Sequence, residues 1–302
     1  MAAHRSDCLI IVTVTVGVAT AGLGLPTSKA AGIASIPDFS GLWAHPSLPG
    51  FEPPRSGPGP VVNKSRRAGV SNFNQLVGDY TNPILKPAAA EIVKKHGDIS
   101  LAGVGYPTPS NQCWPGGLPY AFSSVVMQML QQPDEITILY SRDHEVRHVR
   151  LNAPHPARVK PSWFGDSVGH YEGDALVIDT IGLKSGPFSM VDMYGTPHSP
   201  ALHVVERYRL LDYEDAKEGL ERDARENFRI PVIALQIDPD YRGKNLQLQF
   251  TVDDQGVFTM PWSATITYRR GTGEWQEDVC AENPQHYPGK FAEVPSANKP
   301  DF

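Results

Sequence analysis

The chain has 302 residues, of which 40% are hydrophobic and 20% are charged, and its formal net charge at pH 7 is −6. This length allows one large domain or two small ones, and the composition is ordinary for a globular chain. An acidic chain without a large basic cluster argues against nucleic acid as a partner.

The first 30 residues have the pattern of an export signal. Arg5 supplies a positive charge, residues 9–25 are apolar, and Ser28-Lys29-Ala30 places small residues around a cleavage site. Glycine and threonine dilute the apolar run, which is barely long enough to span a bilayer, so a cleaved signal is favoured over an anchor. We therefore expect a periplasmic or secreted protein with no stable membrane span.

Two cysteines, Cys113 and Cys280, remain after such a cleavage. An even number of cysteines in an oxidising compartment favours a disulfide, and the alternative is two buried free thiols.

Composition divides the rest of the chain into three parts. Residues 31–110 form a Pro/Gly-rich N-terminal arm, residues 111–283 a β domain, and residues 284–302 an irregular C-terminal tail. The arm contains a first strand at Gly41-Leu42-Trp43, whose Gly-x-Trp resembles the opening of lipocalin-type barrels, where the tryptophan plugs one end. It also contains a helix from Pro87 to His96, which starts with proline and ends before Gly97.

From Glu135 onward the apolar residues recur with a period of two, which indicates antiparallel strands with one core face. Glu172-Gly173-Asp174 predicts a tight turn between two strands. The charged segment Asp215–Asn227 predicts a helical insertion. We predict a mainly β fold, an antiparallel barrel or sandwich that could be lipocalin-like, with one or two peripheral helices.

The run His144-Glu145-Val146-Arg147-His148 matches the H-E-x-x-H pattern of zinc proteases, which requires a helix. Here the surrounding pattern is that of a strand, on which residues four apart lie about 13 Å from each other and cannot share one zinc ion. A zinc hydrolase through His144 and His148, with Glu172 as a distant third ligand, is therefore a minor alternative.

Gly165-Asp166-Ser167-Val168-Gly169 matches the G-x-S-x-G of a nucleophile elbow, and Asp192 and His198 follow Ser167 in triad order. An elbow needs a strand before the serine and a helix after it, and neither is predicted here. A serine hydrolase thus remains an alternative.

Glu206 falls on the apolar face of its predicted strand, where a carboxylate is costly unless it is paired. We expect a histidine or arginine partner from a neighbouring strand. The simplest interpretation is a structural ion pair, and the other is an acid with a raised pKa or a ligand anchor, acting with His198.

Loop residues His155, His170 and His198 could gather with Trp163 at one rim of a barrel. The apolar stripe that begins at Phe258 and Met260 and contains Trp262 and Tyr268 could face a cavity or a filled core. We predict ligand contacts by His155, Trp163, His170, Trp262 and Tyr268. No histidine pair has a diagnostic interval, so no metal or other cofactor is predicted.

Three blocks of the chain resemble a family of uncharacterised exported bacterial proteins: PSWFGDSVGHYEGDALVIDTIGL (161–183), GTPHSPALHVVERYR (195–209) and FTMPWSATITYR (258–269). The runs around Cys113 and Cys280 also match. The resemblance implies a shared fold and export, and it assigns no activity. The chain departs from the family pattern at His144 and His148 and in its longer insertion at Asp215–Asn227.

Three functions follow as hypotheses. The first is an exported barrel or sandwich that binds a small, largely apolar molecule. The second is an enzyme on that scaffold, a hydrolase through Ser167 or an acid–base enzyme through Glu206 and His198. The third is a structural envelope protein that uses the Pro-rich segment 46–60 and the tail as contact surfaces.

Overall fold

The computed structural model describes residues 36–46, 48–64, 75–142, 145–226, 238, 240–275 and 279–280. The predicted export signal and the predicted C-terminal tail lie outside these ranges.

Nine strands form a closed barrel in which each strand pairs with the next along the chain, and β1 pairs with β9. The mainly β prediction is confirmed, and the sheet is a barrel and not a sandwich. The strands are β1 (Gly41–Ala44), β2 (Val126–Gln131), β3 (Glu135–Tyr140), β4 (Val146–Leu151), β5 (Asp166–Glu172), β6 (Ala175–Ile181), β7 (His203–Leu211), β8 (Asn245–Asp253) and β9 (Trp262–Arg270).

All neighbouring strands are antiparallel except β4 and β5, which run parallel with Val149 opposite Ser167 and Leu151 opposite Gly169. Parallel neighbours start at the same end of a sheet, so connection 152–165 must bring the chain back along the barrel before β5 begins. This return has neither helical nor strand periodicity, which is why the sequence pattern predicted a wholly antiparallel sheet.

Trp43 of β1 is buried where the first strand pairs with the last. Its indole Nε1 donates to the Phe39 carbonyl at 2.9 Å, and the Arg270 guanidinium lies 4.9 Å from its ring centroid. Arg270 Nη1 also donates to the Ser40 carbonyl at 2.7 Å, so the last strand is joined to the residues before the first. Gly41 permits this contact, because its φ is +127° and a Cβ there would lie 2.3 Å from the Arg270 side chain.

Alternate residues of the strands point inward and form an apolar core. Phe250 of β8 illustrates how the core extends beyond the strands. Its ring packs against Trp262 of β9 and also against Phe51 and Phe122, both from the long connection between β1 and β2, with centroid distances of 5.0–6.0 Å. Burying one such side chain stabilises the fold by about 1.5–3 kcal/mol.

Two helices lie outside the barrel, α1 (Pro87–Leu101) and α2 (Tyr213–Glu226). Helix α2 confirms the predicted charged insertion and contacts β9. Helix α1 runs past the predicted stop at Gly97, because Gly97 faces the core and not a turn. A Cβ at Gly97 would lie 3.0 Å from Val77, so a glycine here allows close packing.

The predicted apolar stripe is shorter than the sequence pattern suggested. Strand β9 begins at Trp262, and Phe258 is buried next to Leu85 in an isolated bridge before it. Met260 lies in the intervening turn with 46% of its surface exposed.

Candidate functional site

Glu206 of β7 is paired with Arg147 of β4 inside the barrel. Arg147 Nη1 donates to Oε2 at 2.8 Å and Nη2 donates to Oε1 at 2.6 Å, and both side chains are buried. The expectation of an arginine partner holds, but the partner does not come from a neighbouring strand. Strands β5 and β6 separate the two residues, so the pair crosses the barrel interior.

The pair belongs to a larger polar network. Arg147 Nε donates to Ser167 Oγ at 3.0 Å, and Nη2 donates to Thr180 Oγ1 at 2.6 Å. The Tyr208 hydroxyl donates to Glu206 Oε2 at 2.9 Å. These bonds supply the partners that buried charges need, so the network is able to hold β4, β5, β6 and β7 in register.

Ser167, Asp192 and His198 have separate hydrogen-bond partners. Asp192 accepts from the Thr196 hydroxyl at 2.7 Å, and burial raises its pKa to about 6. His198 lies beside the Ser199 carbonyl, 3.2 Å from Nδ1, and burial lowers its pKa. In the part of the chain that the structure describes, no hydrogen bond joins these three residues. Ser167 also lies within strand β5, without the strand–turn–helix setting of a nucleophile elbow.

Trp262 and Tyr268, two of the predicted ligand contacts, point into the packed interior. Trp262 lies between Phe250 and Phe258, and Tyr268 packs edge-on against His45 with ring centroids 4.9 Å apart. Burial raises the pKa of Tyr268 well above its ordinary value. These two residues are therefore core residues in this conformation.

His155 lies on the outer wall of the barrel. Its Nδ1 is 2.6 Å from Asp166 and its Nε2 is 2.8 Å from Asp179. Asp179 also binds His203 Nε2 at 2.9 Å, which raises the pKa of His203. This chain of alternating imidazole and carboxylate groups ties connection 152–165 to β5, β6 and β7.

His148 of the H-E-x-x-H run and His170, which follows the G-x-S-x-G run, also lie on the outer face of the barrel. His148 of β4 is 63% exposed and lies 2.8 Å from Glu135, and exposed His170 of β5 lies 2.9 Å from Glu172. His144 lies outside the described residues. Among the residues that the structure does describe, no group of three or more histidine, cysteine or acidic side chains is arranged to hold a metal ion.

Trp163 belongs to a cluster that we call the aromatic rim, formed by Trp114, Trp163, Phe188 and Lys184. Trp114 packs edge-to-face against Trp163 at 5.3 Å and against Phe188 at 5.6 Å. The Lys184 ammonium lies 4.6 Å from the Trp163 ring centroid. The three aromatic side chains are half-buried and Lys184 is exposed, so the rim combines apolar ring surface with one positive charge.

The rim is built where three segments of the chain meet at the start of β5 and the end of β6. Ser162 N donates to the Gly182 carbonyl and Lys184 N donates to the Ser162 carbonyl, at 3.2 and 2.7 Å. Gly186 allows both indoles to approach, since a Cβ there would lie 3.0 Å from Trp163 and 3.3 Å from Trp114. Backbone bonds and close packing thus hold the rim in place.

Cys113, next to Trp114, forms the predicted disulfide with Cys280, with their Cα atoms 5.4 Å apart. The bridge attaches the Trp114 segment to the chain beyond β9.

Pattern reasoning identified Trp163 but missed Trp114, Phe188 and Lys184, which lie in irregular segments with no period to interpret. It also missed Arg147. Arg147 shares the inward face of β4 with Val149 and Leu151, so the same period of two that singled out Glu206 could have identified it.

In the described ranges, none of the helices combines the length and the apolar character needed to cross a bilayer. Comparison with known proteins gave no matching family model and no matching curated sequence.

Proposed function

We propose that this protein is an exported barrel that binds a small, largely apolar ligand at the aromatic rim. The observation that carries the proposal is the rim itself, in which three half-buried aromatic side chains pack edge-to-face beside an exposed lysine. Aromatic side chains bind flat or apolar groups by stacking or by edge-to-face contact.

The lysine narrows the ligand class. An ammonium over an indole at an exposed site contributes about 0.5–1 kcal/mol, which leaves Lys184 free to exchange this contact for a stronger one with an anion. The expected ligand therefore has a compact apolar body and one acidic group.

The barrel interior is the less favourable place for the ligand. Trp262 and Tyr268 are in contact with other aromatic rings there, and a polar network crosses the same space. His155 and His170 are bound to carboxylates on the outer wall, so neither of these predicted contacts belongs to the rim.

Titration with 8-anilinonaphthalene-1-sulfonate, which has an aromatic body and a sulfonate, tests the proposal. We expect saturable binding that Trp163→Ala weakens about fivefold or more, because stacking on one aromatic side chain contributes about 1–3 kcal/mol. Lys184→Gln should weaken it about two- to fivefold. Lys160→Gln, an exposed lysine of connection 152–165, is the matched control.

Unchanged binding in both rim variants, with the thermal unfolding temperature preserved, would rule out the rim as the binding site. If Trp163→Ala does weaken binding, native mass spectrometry of gently purified protein should show the physiological ligand on the wild type and not on Trp163→Ala.

Export and a periplasmic or secreted location are part of the proposal. The disulfide supports them, because such bridges persist in oxidising compartments. N-terminal sequencing of the protein from a periplasmic or culture fraction should find a start near Ala30 or Ala34. A full-length chain confined to the cytoplasm would contradict export.

An enzyme on this scaffold is less well supported. The Ser167 hydroxyl is engaged by Arg147 and Thr180, and Glu206 is neutralised by Arg147. Labelling of the folded protein by a fluorophosphonate, lost in Ser167→Ala, would favour a hydrolase instead. If no small molecule binds at all, a structural envelope role becomes the leading hypothesis.

A further inference from the structure

A separate cavity of about 80 Å³ opens at the end of the β2–β3 pair. We call it the hydroxyl cavity, because most of its lining side chains are hydroxyl-bearing, with one arginine. These residues are Ser110, Tyr120, Ser123, Ser124, Ser141 and Arg142.

The framework of the cavity is already hydrogen-bonded. Ser110 Oγ and the Tyr120 hydroxyl lie 2.9 Å apart, and Ser123 Oγ donates to the Tyr120 carbonyl at 2.7 Å. Cys280 Sγ lies 3.3 Å from the Ser110 carbonyl, which places the disulfide against the same segment. The wall formed by residues 110–123 is therefore fixed.

The rest of the cavity lining includes residues next to β2 and β3. Ser124 precedes β2, and Ser141 and Arg142 follow β3, with Ser141 N donating to the Val126 carbonyl at 3.0 Å. Within the described ranges, the hydroxyls of Ser124 and Ser141 have no hydrogen bond and the Arg142 guanidinium has no ion pair. All three residues are half-buried. A partly desolvated cation is costly without a partner, so this arrangement favours an anion in the cavity.

The volume limits what can enter. One water needs about 10–15 Å³, and a drug-sized ligand fills about 300–1,000 Å³, so about 80 Å³ suits a group of only a few non-hydrogen atoms. Guanidinium and hydroxyl donors together match the planar or tetrahedral oxygens of a carboxylate or a phosphate.

We propose that the hydroxyl cavity is a binding site for a small oxyanion, a carboxylate or a phosphate group, with Arg142 as its counter-ion and Ser124 and Ser141 as hydrogen-bond donors. This site is distinct from the aromatic rim, and its test does not depend on the proposed ligand there.

Thermal unfolding of the purified protein in sodium phosphate, sodium acetate or sodium chloride at matched ionic strength tests this site. Phosphate or acetate should raise the unfolding temperature saturably above its value in chloride, because a ligand that binds only the folded state stabilises it. The anion with the lower saturating concentration identifies the chemical class. Arg142→Gln should weaken the response about tenfold or more.

Arg158→Gln, an exposed arginine of connection 152–165, should respond as the wild type does. An Arg142→Gln variant that responds like the wild type, or a wild type that responds to neither anion more than to chloride, overturns the proposal. If Arg142→Gln does not fold, Ser141→Ala decides: a weaker anion response supports the site, and an unchanged response contradicts it.

Discussion

Arg147 and Glu206 connect two strands that are not neighbours in the sheet, through two hydrogen bonds of 2.8 and 2.6 Å across the barrel interior. Removing two charges from water is expensive, so such a pair adds little net stability even when its geometry is good. Breaking it is a different matter, because the remaining charge is buried without a counter-ion.

We therefore expect Glu206→Ala to lower the free energy of unfolding by about 3–5 kcal/mol. Urea denaturation followed by tryptophan fluorescence measures the change. Lys94→Ala, which breaks the exposed Lys94–Asp98 pair at 2.7 Å, is the control and should lower the free energy of unfolding far less, because solvent screens exposed pairs. Replacing both Arg147 and Glu206 with leucine should lower the free energy of unfolding less than Glu206→Ala alone. Equal losses of stability in Lys94→Ala and Glu206→Ala would show that the buried pair is dispensable.

Gly41→Ala should lower the free energy of unfolding for two reasons. The backbone is at φ +127°, which side chains disfavour, and the new Cβ would overlap the Arg270 guanidinium. Gly57→Ala separates the two effects, because Gly57 has φ +91° with nothing within 4 Å of a Cβ. We expect Gly41→Ala to cost at least about 1 kcal/mol more than Gly57→Ala in urea denaturation.

A double variant with Arg270→Ala tests whether the cost of Gly41→Ala comes from contact with Arg270. In an Arg270→Ala background the additional cost of Gly41→Ala should shrink towards that of Gly57→Ala, since contacting residues do not act additively. If the stability losses of Gly41→Ala and Arg270→Ala are additive, the close approach of Arg270 is not the reason why position 41 requires glycine.

His96 should make the protein sensitive to mild acid. It is buried against Tyr106 and Gly195, and burial lowers its pKa to about 4. As the pH falls below 6.5, the unfolded state binds a proton before the folded state does, so the free energy of unfolding decreases until about pH 4. One such group accounts for at most about 3 kcal/mol between those limits.

His96→Leu should flatten the dependence of unfolding free energy on pH in this window. Buried His198, whose pKa burial lowers, acts in the same direction as His96, whereas Asp192, whose pKa burial raises to about 6, acts in the opposite direction. Some dependence on pH should therefore remain in the variant. A His96→Leu variant with the wild-type slope between pH 6.5 and pH 4 would show that His96 does not titrate with unfolding.

The disulfide leads to a prediction on both chemistry and stability. The unreduced, denatured chain should show at most one reactive thiol, from Cys8, because Cys113 and Cys280 are bonded. Cys113→Ser with Cys280→Ser should lower the free energy of unfolding by about 2–4 kcal/mol, mostly by releasing the unfolded chain. Reductant should lower the stability of the wild type by the same amount and leave the double variant unchanged; two further reactive thiols in the wild type would disprove the bridge.

The sequence predicted most strand positions and their inward faces, because buried and exposed residues alternate along a half-buried strand. This is how Glu206 was placed on the core face before any partner was known. The same period could not distinguish a barrel from a sandwich, since both have one apolar face. It also missed the parallel β4–β5 pair, because connection 152–165 has no period.

The G-x-S-x-G and H-E-x-x-H patterns show the reverse limitation. Both are short sequence motifs whose chemistry requires a helix, whereas Ser167 and His148 lie in strands. The strand pattern around them already indicated this.

The sequence by itself therefore determined the class of fold, the disulfide pair and the core position of Glu206, because each depends on local pattern or on cysteine number. Only the tertiary structure decided that Arg147 meets Glu206, that Trp114, Trp163 and Phe188 form one rim, and that Arg142 lines one cavity with Ser124 and Ser141. Those contacts join residues distant in the chain, and their distances are set by strand register and barrel closure, which no local period encodes.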